Sequence, residues 1–167
     1  MEIYKIFSNC TKHSYYLNVI NFVRVHTVLK HCIMTLISKE IEIQDKISTV
    51  FEALINQKER IRRQLRKTRH SYDAICDKHI HSGFKTEAEW LEASNKHYIK
   101  YQEYDTYCCL TEIITDYRSV EGIFPEYLDM LQNLENIMLK YAAEERYEVA
   151  AILKNWLDKL TESIQRY

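Results

Sequence analysis

The sequence predicts an all-α protein. Two long helices form an antiparallel, coiled-coil-like hairpin, preceded by one apolar helix and followed by a short helical hairpin. Three observations carry this. Only 2 Gly and 1 Pro occur among 167 residues, too few turn formers for a sheet protein. Apolar residues from Ile47 to Ile75 recur at alternating steps of four and three, the period of one helix facing another. The strongest breaks, at Gly83 and at Gly122 with Pro125, leave long uninterrupted runs between them. The length suits one domain, organised as a long-helix bundle over 1–120 and a C-terminal helical hairpin over 121–167 packed together.

"MEIYKIFSNC" alternates loosely. A lone strand has no partner, so an extended arm or a short helical turn is expected. Ser14 is a candidate cap for a helix reaching about Ser38. The apolar stretch "YYLNVINFVRVHTVLKHCIMTLI" is interrupted by Asn18, Asn21, Arg24, His26, Lys30 and His31. It reads as a buried or amphipathic helix rather than a membrane span, which needs about 20 mostly apolar residues. A bend is expected in "SKEIEIQDK", with one continuous helix as the alternative because no Gly or Pro interrupts it.

The next helix should run from Ile43 to His79, roughly 55 Å at the standard rise. Its seam is Ile47, Phe51, Leu54, Lys58, Ile61, Leu65, Thr68, Tyr72 and Ile75, interrupted at Lys58 and Thr68. Gly83 marks its end. Thr86 and Glu89 then have capping-box spacing at the start of a helix running from Glu87 to about Arg118. Its predicted inner stripe is Trp90, Ala93, His97, Tyr101, Tyr104, Cys108 and Ile114 or Thr115. After "SVEGIFPEY", Pro125 suits a first helical turn. A helix to about Ala143 should bury Leu128, Leu131, Leu134 and Met138. The last helix, Tyr147 to Ile164, should bury Ala150, Leu153, Leu157, Leu160 and Ile164.

Chemistry is sparse. No Ser-His-Asp order, phosphate loop or paired-carboxylate motif occurs, so a non-enzymatic function is expected. The formal net charge of -1 predicts no bulk attraction to nucleic acid or to an anionic membrane. Five Cys without framework spacing suggest reduced thiols and a cytoplasmic setting. Cys76 and His79 stand one helical turn apart and are weak candidates for sharing a metal ion. The spacing fits no established zinc pattern and also fits a polar helix end, so no metal or cofactor is expected. "KERIRRQLRKTRH" places Arg60, Arg62, Arg63, Arg66, Lys67 and Arg69 around one helix. Such a run reads as a solvated coiled-coil surface, or as contacts to nucleic acid or an acidic partner. The adjacent Cys108 and Cys109 cannot both face inward.

The residues "LENIMLKYAAEERYEVAAILKNWLDKL", from Leu134 to Leu160, carry two Ala pairs around a charged turn. They resemble the UVR motif, the helical hairpin first described in the B and C subunits of the bacterial excision nuclease. Tyr147, Glu148, Ala150, Ala151, Leu153 and Leu157 match by position, and Lys154 and Asn155 stand for the family's Arg and Asp. Two positions depart from the pattern. Tyr141 is bulky where the family is small, and Arg146 replaces an Asp that can cap the second helix. The resemblance implies a protein–protein interaction device, with Tyr147, Glu148, Ala150, Ala151, Leu153, Lys154 and Leu157 at the contact. The expected function is thus an adaptor docking a protein partner, with self-association through the heptad seam as an addition. The alternatives are nucleic-acid binding through the Arg-rich helix, and a structural subunit of a viral or multiprotein assembly.

Overall fold

The computed structural model describes the backbone of residues 3–165 and the side chains of residues 33–165. Among the described residues there are four helices and no strand: α1 Ile3–His81, α2 Glu87–Asp116, α3 Tyr127–Ala143 and α4 Tyr147–Gln165. The fold is all-α. The chain divides into two compact units, Met1–Glu42 and Ile43–Tyr167. No helix among the described residues is long and apolar enough to cross a membrane.

Two expectations for α1 are corrected. Its helix already begins at Ile3, so neither an extended arm nor a cap at Ser14 is present. It also runs as one helix through "SKEIEIQDK", the alternative to a break in that stretch. Nothing in that stretch removes a backbone N–H or relaxes the backbone, and its Lys, Glu and Gln favour helix. Within the first unit, Ile33, Met34, Leu36, Ile37 and Ile41 are all exposed.

The second unit holds the core. Along α1 the predicted seam is the buried one: Ile47, Phe51, Leu54 and Ile61 are buried, and Leu65, Thr68, Tyr72 and Ile75 are half-buried. α2 adds Tyr107, Leu110 and Ile114, α3 adds Met130 and Leu134, and α4 adds Leu153, Trp156 and Leu160. Two buried threonines of α2 satisfy their own hydroxyls. Thr106 donates to the Gln102 carbonyl at 2.9 Å and Thr111 to that of Tyr107 at 2.6 Å.

The inner stripe of α2 differs from its prediction. Tyr101 is 53% exposed. Trp90, His97, Tyr104 and Cys108 are half-buried, and Thr115 is exposed. Burial on α2 concentrates between Thr106 and Ile114, where residues of α1, α3 and α4 join one core. Toward the other end of α2, α1 supplies the facing side chains, and two helices alone leave the aromatic flanks open to water. In α3 the expected Leu128 is exposed, and Met130 is fully buried in its place. The helix begins at Tyr127, not Pro125, and presents its Met130–Leu134 stripe to α4.

The turn between α1 and α2 explains its own sequence. Gly83 is left-handed at φ 66°, its N–H bonds the Ile80 carbonyl, and the Phe84 N–H bonds the His79 carbonyl at 2.9 Å. These are the two bonds of a Schellman cap, with Phe84 packed on His79 at a ring separation of 5.3 Å. The capping box expected from Thr86 and Glu89 does not form. Thr86 makes no side-chain cap bond. Its hydroxyl lies 3.3 Å from His79 Nδ1, and Glu89 pairs with Lys78 at 2.7 Å. Both side chains are drawn across the turn to α1 instead of back along α2.

Between α2 and α3, residue Phe124 drops into the core at 0% exposure. It meets Phe51 edge-on at 5.8 Å. Gln44, itself buried, holds the Phe124 backbone from both sides. Its Nε2 donates to the Phe124 carbonyl at 3.0 Å, and its Oε1 accepts from the Phe124 N–H at 2.7 Å. One side chain thereby satisfies both backbone groups of a buried loop residue.

Candidate interaction surface

Helices α3 and α4 form a hairpin whose inner side is filled by this chain. Leu153 is buried among the core residues, Ala150 is buried, and Leu157 is half-buried. Trp156 joins them, meets Tyr107 edge-on at 6.4 Å, and carries the Lys159 ammonium 4.0 Å above its ring centroid. The outer side is different. Tyr147 is 63% exposed, and Glu148, Ala151 and Lys154 are exposed. Tyr147, Ala151 and Lys154 follow at steps of four and three, which puts them on one helix face. The residues singled out by the sequence thus divide: three face the core wholly or partly, and four face outward.

The hairpin turn brings Tyr141 and Arg146 together. Glu145 donates its N–H to the Ala142 carbonyl, and Arg146 donates its own to the Tyr141 carbonyl at 2.9 Å. This is a second Schellman cap, and Arg146 occupies the position whose side chain packs back on the preceding helix. It does so as a cation over an aromatic face, with the guanidinium carbon 4.6 Å from the Tyr141 ring centroid. The bulky Tyr141 and the cationic Arg146 therefore belong together. Burial pushes the Cys109 thiol of α2 up, Glu112 adds to the effect, and a Tyr141 hydrogen bond opposes it.

Glu145 itself sits at φ 60°, where a Cβ is strained. Replacing it with Gly is expected to raise stability by about 0.5–1 kcal/mol, because relief of that strain outweighs the added backbone freedom of the unfolded chain. Urea denaturation of the two proteins measures this. Beside the turn lies a recess of about 510 Å³ between α2 and the hairpin. Ile99, Val149 and Ile152 give it an apolar part, and Glu103, Glu145 and Glu148 supply carboxylates.

The other candidates fall elsewhere. Arg60, Arg62, Arg63, Arg66, Lys67 and Arg69 are all exposed. Arg62 pairs with Glu59 at 2.7 Å and Arg69 with Asp73 at 4.0 Å. The hydrogen bond from Arg62 holds the Glu59 carboxyl below its usual range. Of the acids in "EAEWLEA", Glu89 pairs with Lys78 and Glu92 with Lys96. His79 is buried, stacked on Trp90 at 5.6 Å and edge-on to Phe84. Cys76 is half-buried, and no three His, Cys, Asp or Glu among the described residues gather as a metal site. Cys76, Cys108 and Cys109 are free thiols.

Sequence reasoning missed Gln44 and Phe124. Gln44 stands three residues before Ile47, in register with the α1 seam but polar, Phe124 lies on no periodic stripe, and their pairing spans 80 residues. No protein-family model matches the chain, and no curated protein or solved structure is significantly similar to it.

Proposed function

We propose that this protein is a non-enzymatic adaptor, acting in the cytoplasm, that docks a protein partner through the outer face of its C-terminal hairpin. The observation that carries the reading is the division of α4. Ala150 and Leu153 are committed to the chain's own core, while Tyr147, Ala151 and Lys154 form one exposed face. A small side chain between an aromatic and a cation lets a second helix approach closely, with Tyr147 supplying contact area. Glu148 extends this face toward the recess beside the turn. Ala150, Leu153 and Leu157 contribute by fixing the shape of the hairpin. The likeness to the UVR motif supports the same role.

The test compares affinity-tagged full-length protein with Ala151→Glu and Tyr147→Ala, each recovered from the native cell with quantitative mass spectrometry. Both positions are exposed, so both variants are expected to keep the wild-type circular dichroism spectrum. A partner enriched by the wild type should fall at least about 10-fold with Ala151→Glu, since a buried unpaired carboxylate costs more than 1.4 kcal/mol. Equal recovery by the folded variants would remove the outer face from the function.

A further inference from the structure

The feature that the hairpin does not use is a groove between α1 and α2. It holds about 390 Å³ and is lined by Leu65, Arg69, Tyr72, Asp73, His97, Tyr101 and Tyr104. We propose that this groove binds single-stranded nucleic acid, with Arg62, Arg66 and Arg69 on the phosphates and the rings of Tyr101, Tyr72 and His97 on the bases.

Two independent observations carry it. The first is aromatic. Tyr72 and His97 stack at 5.5 Å with an interplanar angle of 13°, a flat pair held by one helix on each side. Tyr101 stands beside them 53% exposed, a large unused face for a helix pair to leave in water. Stacking on such faces tolerates any base, because every base has a π-face.

The second is charge. Arg62, Arg66, Arg69 and Asp73 follow at steps of four, three and four, and so form one row along α1. Arg69 and Asp73 of that row line the groove. Arg66 has no ion pair among the described residues, and neither do Arg60 and Arg63 around the helix. The pairs that Arg62 and Arg69 make are solvent-exposed, with side-chain exposures of 47% and 43%, and of 74% and 60%. Exposed pairs of this kind are weak and give way to a phosphate readily. With an overall charge of -1, attraction to a polyanion rests on a local concentration of cations such as this row.

The neighbouring phenols do not oppose a polyanion. A hydrogen bond with Cys76 raises the pKa of Tyr72, and one with Cys108 raises that of Tyr104, so both stay uncharged near neutral pH.

An acidic protein would engage the arginines but would gain little from Tyr101 as a stacking face, and a duplex presents its bases already stacked. These differences define the experiment. Fluorescence anisotropy of the full chain is measured with labelled mixed-sequence 12-mers of DNA and RNA, the matching DNA duplex, and a poly-glutamate peptide. Single strands should bind, and more tightly than the duplex or the peptide. Contact with three phosphates predicts a loss of about 20-fold between 50 and 200 mM salt, from a log–log slope of about -2. Tyr101→Ala should weaken binding about 10-fold while Tyr101→Phe keeps it, which separates stacking from any effect on folding. The triple replacement of Arg62, Arg66 and Arg69 by Ala should abolish it. Absent single-strand binding at 50 mM salt overturns the proposal. So does equal or tighter binding of the duplex or of poly-glutamate, or Tyr101→Ala binding as well as the wild type. None of these outcomes bears on the hairpin.

Discussion

Phe124→Ala should cost the protein about 3–5 kcal/mol of stability, the range for truncating a fully buried aromatic. Phe124 is completely covered and lies edge-on against Phe51. The Arg118 guanidinium sits 6.0 Å from its ring centroid and 5.2 Å from that of Phe51. The site cannot collapse easily to fill the space. Phe124 shares one core cluster with buried residues of α1, α2, α3 and α4, and these hold its surroundings in place. The backbone around it is also specified. Gly122 takes φ 86°, a Cβ there would meet Arg118 Nη2 at 3.1 Å, and the Ser119 N–H bonds the Ile123 carbonyl at 2.8 Å. Since a domain is stable by only about 5–15 kcal/mol, this single change removes a large part of the total. Thermal unfolding should shift by roughly 10–15 °C, at the few degrees per kcal/mol usual for this size. A shift of only a few degrees would mean that the loop is not anchored in the core.

Gln44→Leu should cost about 2–4 kcal/mol, although it replaces a polar side chain with an apolar one of similar size. In most cores such a change is harmless or helpful. Here it leaves the Phe124 N–H and carbonyl buried without the two bonds at 2.7 and 3.0 Å that Gln44 provides. A buried unmet donor or acceptor costs about 1–3 kcal/mol each, and water reaches neither group easily beside a fully buried ring. Denaturant unfolding measures the loss. The two substitutions act on the same loop, so their double mutant should be less destabilised than the sum. Strict additivity would show that Gln44 stabilises something other than the seating of Phe124.

The same loop shows where sequence reading ends. The heptad seam from Ile47 to Ile75 was legible because periodicity is a local property, and a helix that buries one stripe must repeat it. Gly83 was legible because a left-handed cap position favours one residue type. Phe124 was read as part of a break, since the glycine and proline around it describe the backbone and not the depth of the ring. Gln44 is a polar residue in a charged stretch. Its use is set by what arrives from 80 residues away. The choice of Met130 over Leu128 has the same origin. Both are apolar residues near the start of α3, and only the orientation of α3 against α4 selects between them.

In the candidate hairpin the sequence located the elements and the exchange of Ala and Leu positions along them. It could not say which side of α4 is spent on the core. It also read Tyr141 and Arg146 as two separate departures, whereas the turn stacks one on the other.

By itself, then, the sequence determined an all-α chain, the turns at Gly83 and between Ala143 and Tyr147, and the buried stripe of α1 beyond Ile43. Propensity, caps and period act within a few residues, and those residues are adjacent in the chain. Only the tertiary structure decided that Phe124 is a core residue, that Gln44 is its anchor, that Tyr101 faces water beside an arginine row, and that α4 turns Tyr147, Ala151 and Lys154 outward. Each of these depends on what covers a side chain, and cover comes from segments that the chain brings together only by folding.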